Sequence, residues 1–108
     1  MRFESFTGGD DVGRDVRFLK RRDRLLVYVS ILEAIRGEAS KKPFAKFTRV
    51  MYRSNLSAMR LRERLRELSY LGLVEWNEQG VRLTEKGGKF LREVKKLFKV
   101  LEKYGLPP

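Results

Sequence analysis

The chain contains no cysteine and no histidine. The first absence excludes disulfides and thiolate chemistry, and the second removes the commonest general base and metal ligand. No apolar run approaches the ~18 residues that a membrane-spanning helix needs, and no signal-peptide pattern opens the chain, so an intracellular protein with no membrane partner is expected. Asparagine and glutamine are scarce, at two and one, while charged residues reach 36%. That balance leans toward heat-adapted proteins, in which thermolabile residues give way to ion pairs. A phosphate-cradling glycine motif is also missing, and the carboxylates show no convergent spacing. An enzyme is therefore the least supported class, and no cofactor or metal is expected.

What is present is charge of one sign. With 108 residues the chain is long enough for one small domain, and its apolar share of 42% is ordinary for a folded one. The formal net charge is +11, and it is concentrated. Residues 41–66 hold nine Lys/Arg against one acidic residue, Glu63, whereas residues 1–40 hold eight against seven and residues 67–108 eight against six. A localised basic segment is the electrostatic footprint of a polyanion binder, the alternative being a basic solvated surface without a partner.

Residues 1–22 read as an N-terminal tail, partly mobile, with Phe3 and Phe6 as its anchors. Within it, Asp10 or Asp11 is placed to cap a helix through Val12, Val16 and Leu19. The run LKRRDR at 19–24 reads as a basic patch or as a solvated helix entry, since Asp15 and Asp23 partly neutralise it. From Arg24 to Arg36 the positions of Leu25, Leu26, Val29, Leu32 and Ile35 follow helical spacing, and Gly37 is placed to end the helix. Val27, Tyr28 and Ile31 widen its apolar face. Pro43 suits the first position of a second helix over 43–53, with Phe44, Phe47, Val50 and Met51 as its stripe. A short extended piece at 43–47, with Thr48 capping a shorter helix, is the alternative.

A Ser54-Asn55-Leu56 corner leads to Ser57, which is placed to cap a third helix over 58–71. With Leu61 at zero on a helical wheel, Ala58, Leu65 and Leu68 fall within about 60°. Met59, Arg60, Arg62, Glu63, Arg66 and Tyr70 point elsewhere, and Gly72 closes the helix. Leu73–Asn77 and Gly80–Thr84 then form a hairpin around Glu78-Gln79, with Val74, Trp76, Val81 and Leu83 on one face. Trp76 belongs to the core or stacks on a partner; Tyr52 and Tyr70 donate to phosphate, or lie at the core edge or on the surface. Thr84 caps a last helix, where Gly87-Gly88 costs roughly 1 kcal/mol per glycine unless backbones approach closely there. Phe90, Val94, Leu97, Leu101 and Tyr104 follow at alternating steps of four and three, a coiled-coil seam before Gly105 and Pro107-Pro108.

The expected architecture is mainly α with a small β-hairpin wing: a winged helix-turn-helix domain over 23–84 and a C-terminal dimerisation helix over 85–108. The segments TRVMYRSNLS, LRELSYLGLVE and VRLTEKGGKFL resemble the archaeal winged helix-turn-helix family of the ArnR-like type. The chain is also similar to small basic archaeal chromatin proteins that append an antiparallel coiled-coil helix to such a domain. The resemblance covers residues 23–104. Two features depart from it: the Glu38–Phe47 connection is longer, and Ala58 stands where an aromatic often follows the serine.

The resemblance implies a third helix in the major groove, a wing along the backbone and a last helix that pairs with a second copy. It places Ser57, Met59, Arg60, Glu63 and Arg64 near bases or phosphates. Arg62 and Arg66 lie further round and are expected at phosphates, with Lys41, Lys42, Lys46, Arg49 and Arg53. Any single arginine of the third helix has an alternative as a solvated partner of Glu63 or Glu67. Arg82 is the one wing residue placed to reach a phosphate, because the wing tip is not basic. The dimer seam is expected at Phe90, Val94, Leu97, Leu101 and Tyr104, with a helix folded back in a monomer as the alternative. The expected partners are double-stranded DNA and a second copy of the chain, in the cytoplasm on the nucleoid. A dimeric transcriptional regulator is the first functional expectation. An architectural chromatin protein with little sequence preference is the second, and a winged helix used for protein contacts the third.

Overall fold

The first apolar helix of the sequence extends further than its leucine periodicity required. In the computed structural model, which describes residues 9–40 and 42–107 and side chains within them from Arg24 onward, α1 runs over Gly9–Ala39. Its first part joins the expected Val12–Leu19 helix to the Arg24–Arg36 one without a break. It also passes through Gly37, where the sequence suggested a stop, and the Arg53 side chain lies where a Cβ on that glycine would go. Of the expected tail, residues 1–8 lie outside the described residues.

The second helix, α2 (Phe47–Ser54), is shorter than the 43–53 helix the sequence favours. Pro43 is not its first residue. Residues 42–44 bend, Lys46 is extended, and Ala45 bridges Val81 in antiparallel fashion, its N–H donating to the Val81 carbonyl at 2.7 Å and its carbonyl accepting at 2.9 Å. The extended alternative thus holds only at Ala45 and Lys46, because Ala45 satisfies both backbone groups against a distant strand. Its other half does not hold: Lys46, not Thr48, stands at the N-cap, without a side-chain bond. Asn55 closes α2 in the left-handed region at φ 59°, its N–H donating to Tyr52 and that of Leu56 to Met51.

The third helix, α3 (Ala58–Tyr70), starts where Ser57 Oγ accepts from the Arg60 N–H at 3.2 Å. Gly72, at φ +79°, lets the chain leave α3 toward the hairpin, with Leu73 N–H donating back to Leu68. Strands β1 (Val74–Asn77) and β2 (Gly80–Leu83) pair antiparallel, Val74 opposite Leu83 and Trp76 opposite Val81. Thr84 then caps α4 (Glu85–Lys103): its hydroxyl accepts from Gly87 N–H at 2.9 Å and donates to the Gly72 carbonyl at 2.6 Å. One side chain thereby locks the start of α4 to the end of α3. Gly87 is required there, since a Cβ would lie 1.9 Å from the Leu73 carbonyl oxygen, whereas one on Gly88 would meet nothing closer than 3.7 Å.

Every element contributes to one core. Ile31, Leu32 and Ile35 of α1, Val50 of α2, Leu61, Leu65 and Leu68 of α3, Val81 of β2 and Leu91 of α4 are fully buried. Each such side chain stabilises the fold by about 1.5–3 kcal/mol relative to exposure. The three leucines of α3 are the row the wheel selected, so the face opposite them is turned outward. Among the described residues, no helix is long and apolar enough to cross a membrane.

Candidate nucleic-acid interface

Burial of the Leu61–Leu65–Leu68 row fixes which α3 side chains face solvent. Met59, Glu63, Arg66 and Tyr70 form the outward ridge, since they succeed one another by three or four residues on the side opposite the leucines. Met59 is 70% exposed and Tyr70 92%. Arg60 and Arg62 flank this ridge and are exposed as well.

The arginines have different fates. Arg64 is tucked in, its side chain only 21% exposed and its Nη1 donating to both oxygens of Glu67 at 2.7 and 3.0 Å. Glu67 in turn accepts from the Tyr28 hydroxyl of α1 at 2.6 Å. Desolvation pushes the Glu67 carboxyl up, but the Tyr28 hydrogen bond and the Arg64 charge outweigh it and hold the group below its ordinary value. Partial burial, followed by the Glu67 contact, raises the Tyr28 phenol, which stays a donor. Arg64 is therefore engaged in joining α3 to α1, the solvated-partner alternative in a half-buried form. Arg62 lies over the Phe47 ring, 5.4 Å from its centroid.

On α2, Arg53 Nε donates to Glu38 at 2.7 Å and Arg49 approaches the same carboxylate at 3.5 Å. Partial desolvation opposes ionisation of Glu38, yet the two guanidiniums keep its carboxyl below the usual range. Both arginines remain more than half exposed. Lys42, Lys46 and Arg49 line a shallow cleft beside Glu38 and Phe44. Lys41 lies outside the described residues. Among the described residues Lys42, Lys46, Arg60, Arg62 and Arg66 have no carboxylate within ion-pair distance. Basic side chains from the α2 approach and from α3 thus reach solvent from two consecutive elements.

The hairpin adds little free charge. Arg82 pairs with Glu75 across the strands, its Nη2 2.6 Å from the carboxylate, and stacks 5.1 Å over the Phe44 ring. At the tip, Asn77 Oδ1 accepts from the Gln79 N–H at 2.7 Å. Trp76 is half-buried and stacked on Phe47, with centroids 6.0 Å apart, as the core reading of that residue expected.

The expected seam on α4 divides in two. Val94 belongs to the chain's own core and Phe90 packs against it; Leu91, in that core, and Phe98, packed against it, lie outside the expected seam. Lys95 pairs with Glu33 of α1 at 2.8 Å. Beyond that point Leu101 is half-buried, while Leu97 (52% exposed), Tyr104 (71%), Val100 and Leu106 form an uncovered apolar strip. Sequence periodicity named neither Val100 nor Leu106.

Several contacts had no local sequence signal: the Glu38 carboxylate shared by two arginines, the Tyr28–Glu67 bond, and the aromatic platforms Phe44 and Phe47. Each joins residues from different elements. Three helices with a sharp α2–α3 corner, followed by a hairpin that closes onto the segment before α2, define a winged helix-turn-helix domain, a DNA-binding class of fold. The winged helix-turn-helix family model matches residues 21–102, and the chain belongs to that family. Among curated proteins none matches the chain.

Proposed function

We propose that this protein is a dimeric regulator of transcription that binds double-stranded DNA with α3 in the major groove. The observation that carries the reading is the outward face of α3: Arg60, Arg62 and Arg66 project from a helix anchored by its buried leucines, beside the exposed cations of the α2 approach. Lys42, Lys46, Arg49 and Arg53 then meet phosphates, and Ser57, Met59, Arg60 and Glu63 lie where base edges are reached. Arg64 supports α3 from behind, and Arg82 contributes through the shape of the wing more than through charge. The uncapped start of α2, with Lys46 at its N-cap and no acidic residue in its first turn, also suits a phosphate. The exposed strip on α4 supports pairing with a second copy, which presents two α3 helices to half-sites about one helical turn apart. The likeness to ArnR-type proteins favours this regulatory reading.

A second reading, an architectural chromatin protein, draws support from the predominance of cations suited to phosphates and from the likeness to basic archaeal chromatin proteins. Fluorescence anisotropy with a specific and a random duplex at rising salt separates the two. A regulator retains a preference of about a thousandfold or more for its site, whereas an architectural protein loses affinity equally for every sequence. Replacing Arg60 and Arg66 by alanine weakens binding at least tenfold on either reading. Binding left intact by that double change leaves the domain to protein contacts.

A further inference from the structure

On a surface built for phosphate alone, two residues of the α3 ridge have no use. Met59 offers neither charge nor a strong hydrogen bond, yet it is 70% exposed in the first turn of α3. Glu63 is the one acid among the nine cations of residues 41–66 and stands one turn further along the same ridge. Its side chain is half exposed, and its nearest cation, Arg64 Nη2, is 3.7 Å away and already bound to Glu67. A carboxylate so placed repels phosphate, so it weakens any contact that is purely with the backbone.

Both side chains do match features of base edges in the major groove. An apolar side chain packs on the thymine C5 methyl group, and a carboxylate accepts from an exocyclic amine. Cytosine suits the carboxylate better than adenine, because adenine sets the acceptor N7 beside its amine, whereas cytosine presents N4–H alone. Four residues along a helix advance about 6 Å, close to two base-pair steps of about 3.4 Å. We infer that Met59 and Glu63 are a base-reading pair, selecting a thymine methyl and a cytosine amine about two base pairs apart.

This rests on the proposal that α3 enters the major groove, and the test separates the two. Binding-site selection from random duplex is followed by synthesis of the enriched duplex with each thymine replaced by deoxyuridine, which removes only the methyl group. One such replacement weakens wild-type binding about fourfold, equivalent to ~0.8 kcal/mol for one buried methyl, and Met59→Ala abolishes the difference. Glu63→Ala weakens binding to the enriched duplex while strengthening binding to random duplex. Indifference to every deoxyuridine replacement, or Glu63→Ala strengthening both complexes alike, overturns the inference. Duplex binding with no enriched sequence also overturns it and leaves DNA binding standing. No binding to any duplex refutes the underlying proposal instead.

Discussion

Glu67 sits between a phenol from α1 and a guanidinium from its own helix, and this triad ties the outward-facing helix to the domain. Its carboxyl is held below the ordinary value although desolvation acts the other way. The unfolded chain titrates near the model-peptide value of ~4.3. A depressed folded value means that the contact stabilises the fold fully above that pH, and that this contribution is lost as pH falls through the folded value. Tyr28→Phe should therefore lower stability near neutrality by about 1 kcal/mol. Urea unfolding near neutrality and near pH ~3 checks this: the gap between wild type and variant should narrow in acid. An equal gap at both would show that the phenol acts through packing and not through the carboxylate. Arg64 illustrates what a linear reading misses. The resemblance places it near DNA and its spacing offers Glu67 as a partner; what the spacing does not show is the Tyr28 hydroxyl that fixes Glu67 from 39 positions away.

At the scale of elements, the two glycines opening α4 make opposite predictions. Gly87→Ala forces a Cβ into the Leu73 carbonyl and should destabilise the domain by several kcal/mol, because backbone must move. Gly88→Ala meets no obstacle and should stabilise by about 0.5–1 kcal/mol through helix propensity and a less free unfolded chain. Thermal unfolding of both variants checks the pair; equal effects would contradict the close approach of α4 to the Leu73 carbonyl. Much of this level was legible in the sequence, because its determinants are local. The caps Ser57 and Thr84, the α3 leucine row and the hairpin face follow from neighbours a few residues apart. The start of α2 was not, since Ala45 is held extended by Val81 on a later strand. For the candidate site, the outward positions of Met59, Arg60, Glu63 and Arg66 follow from the wheel. The engagement of Arg49 and Arg53 with Glu38, and of Arg82 with Glu75 and Phe44, arises only once the elements pack.

For the whole molecule, α4 is divided, with Leu91 and Val94 in the core and an uncovered strip at Leu97, Val100 and Tyr104. Leu97→Glu should leave a folded monomer by sedimentation, whereas Val94→Glu should unfold the domain, because Val94 lies in the core. A dimer that survives Leu97→Glu would show that the strip is not the seam. Away from this strip, the α2 approach and α3 present their exposed cations, and their binding of DNA is the central claim. Amide chemical-shift mapping of the full chain titrated with a short DNA duplex tests it most directly. The largest shifts should fall on residues 42–53 and on the first two turns of α3, with α4 beyond Lys95 unmoved. Shifts confined to α4 or to α1, with α3 silent, would contradict the account.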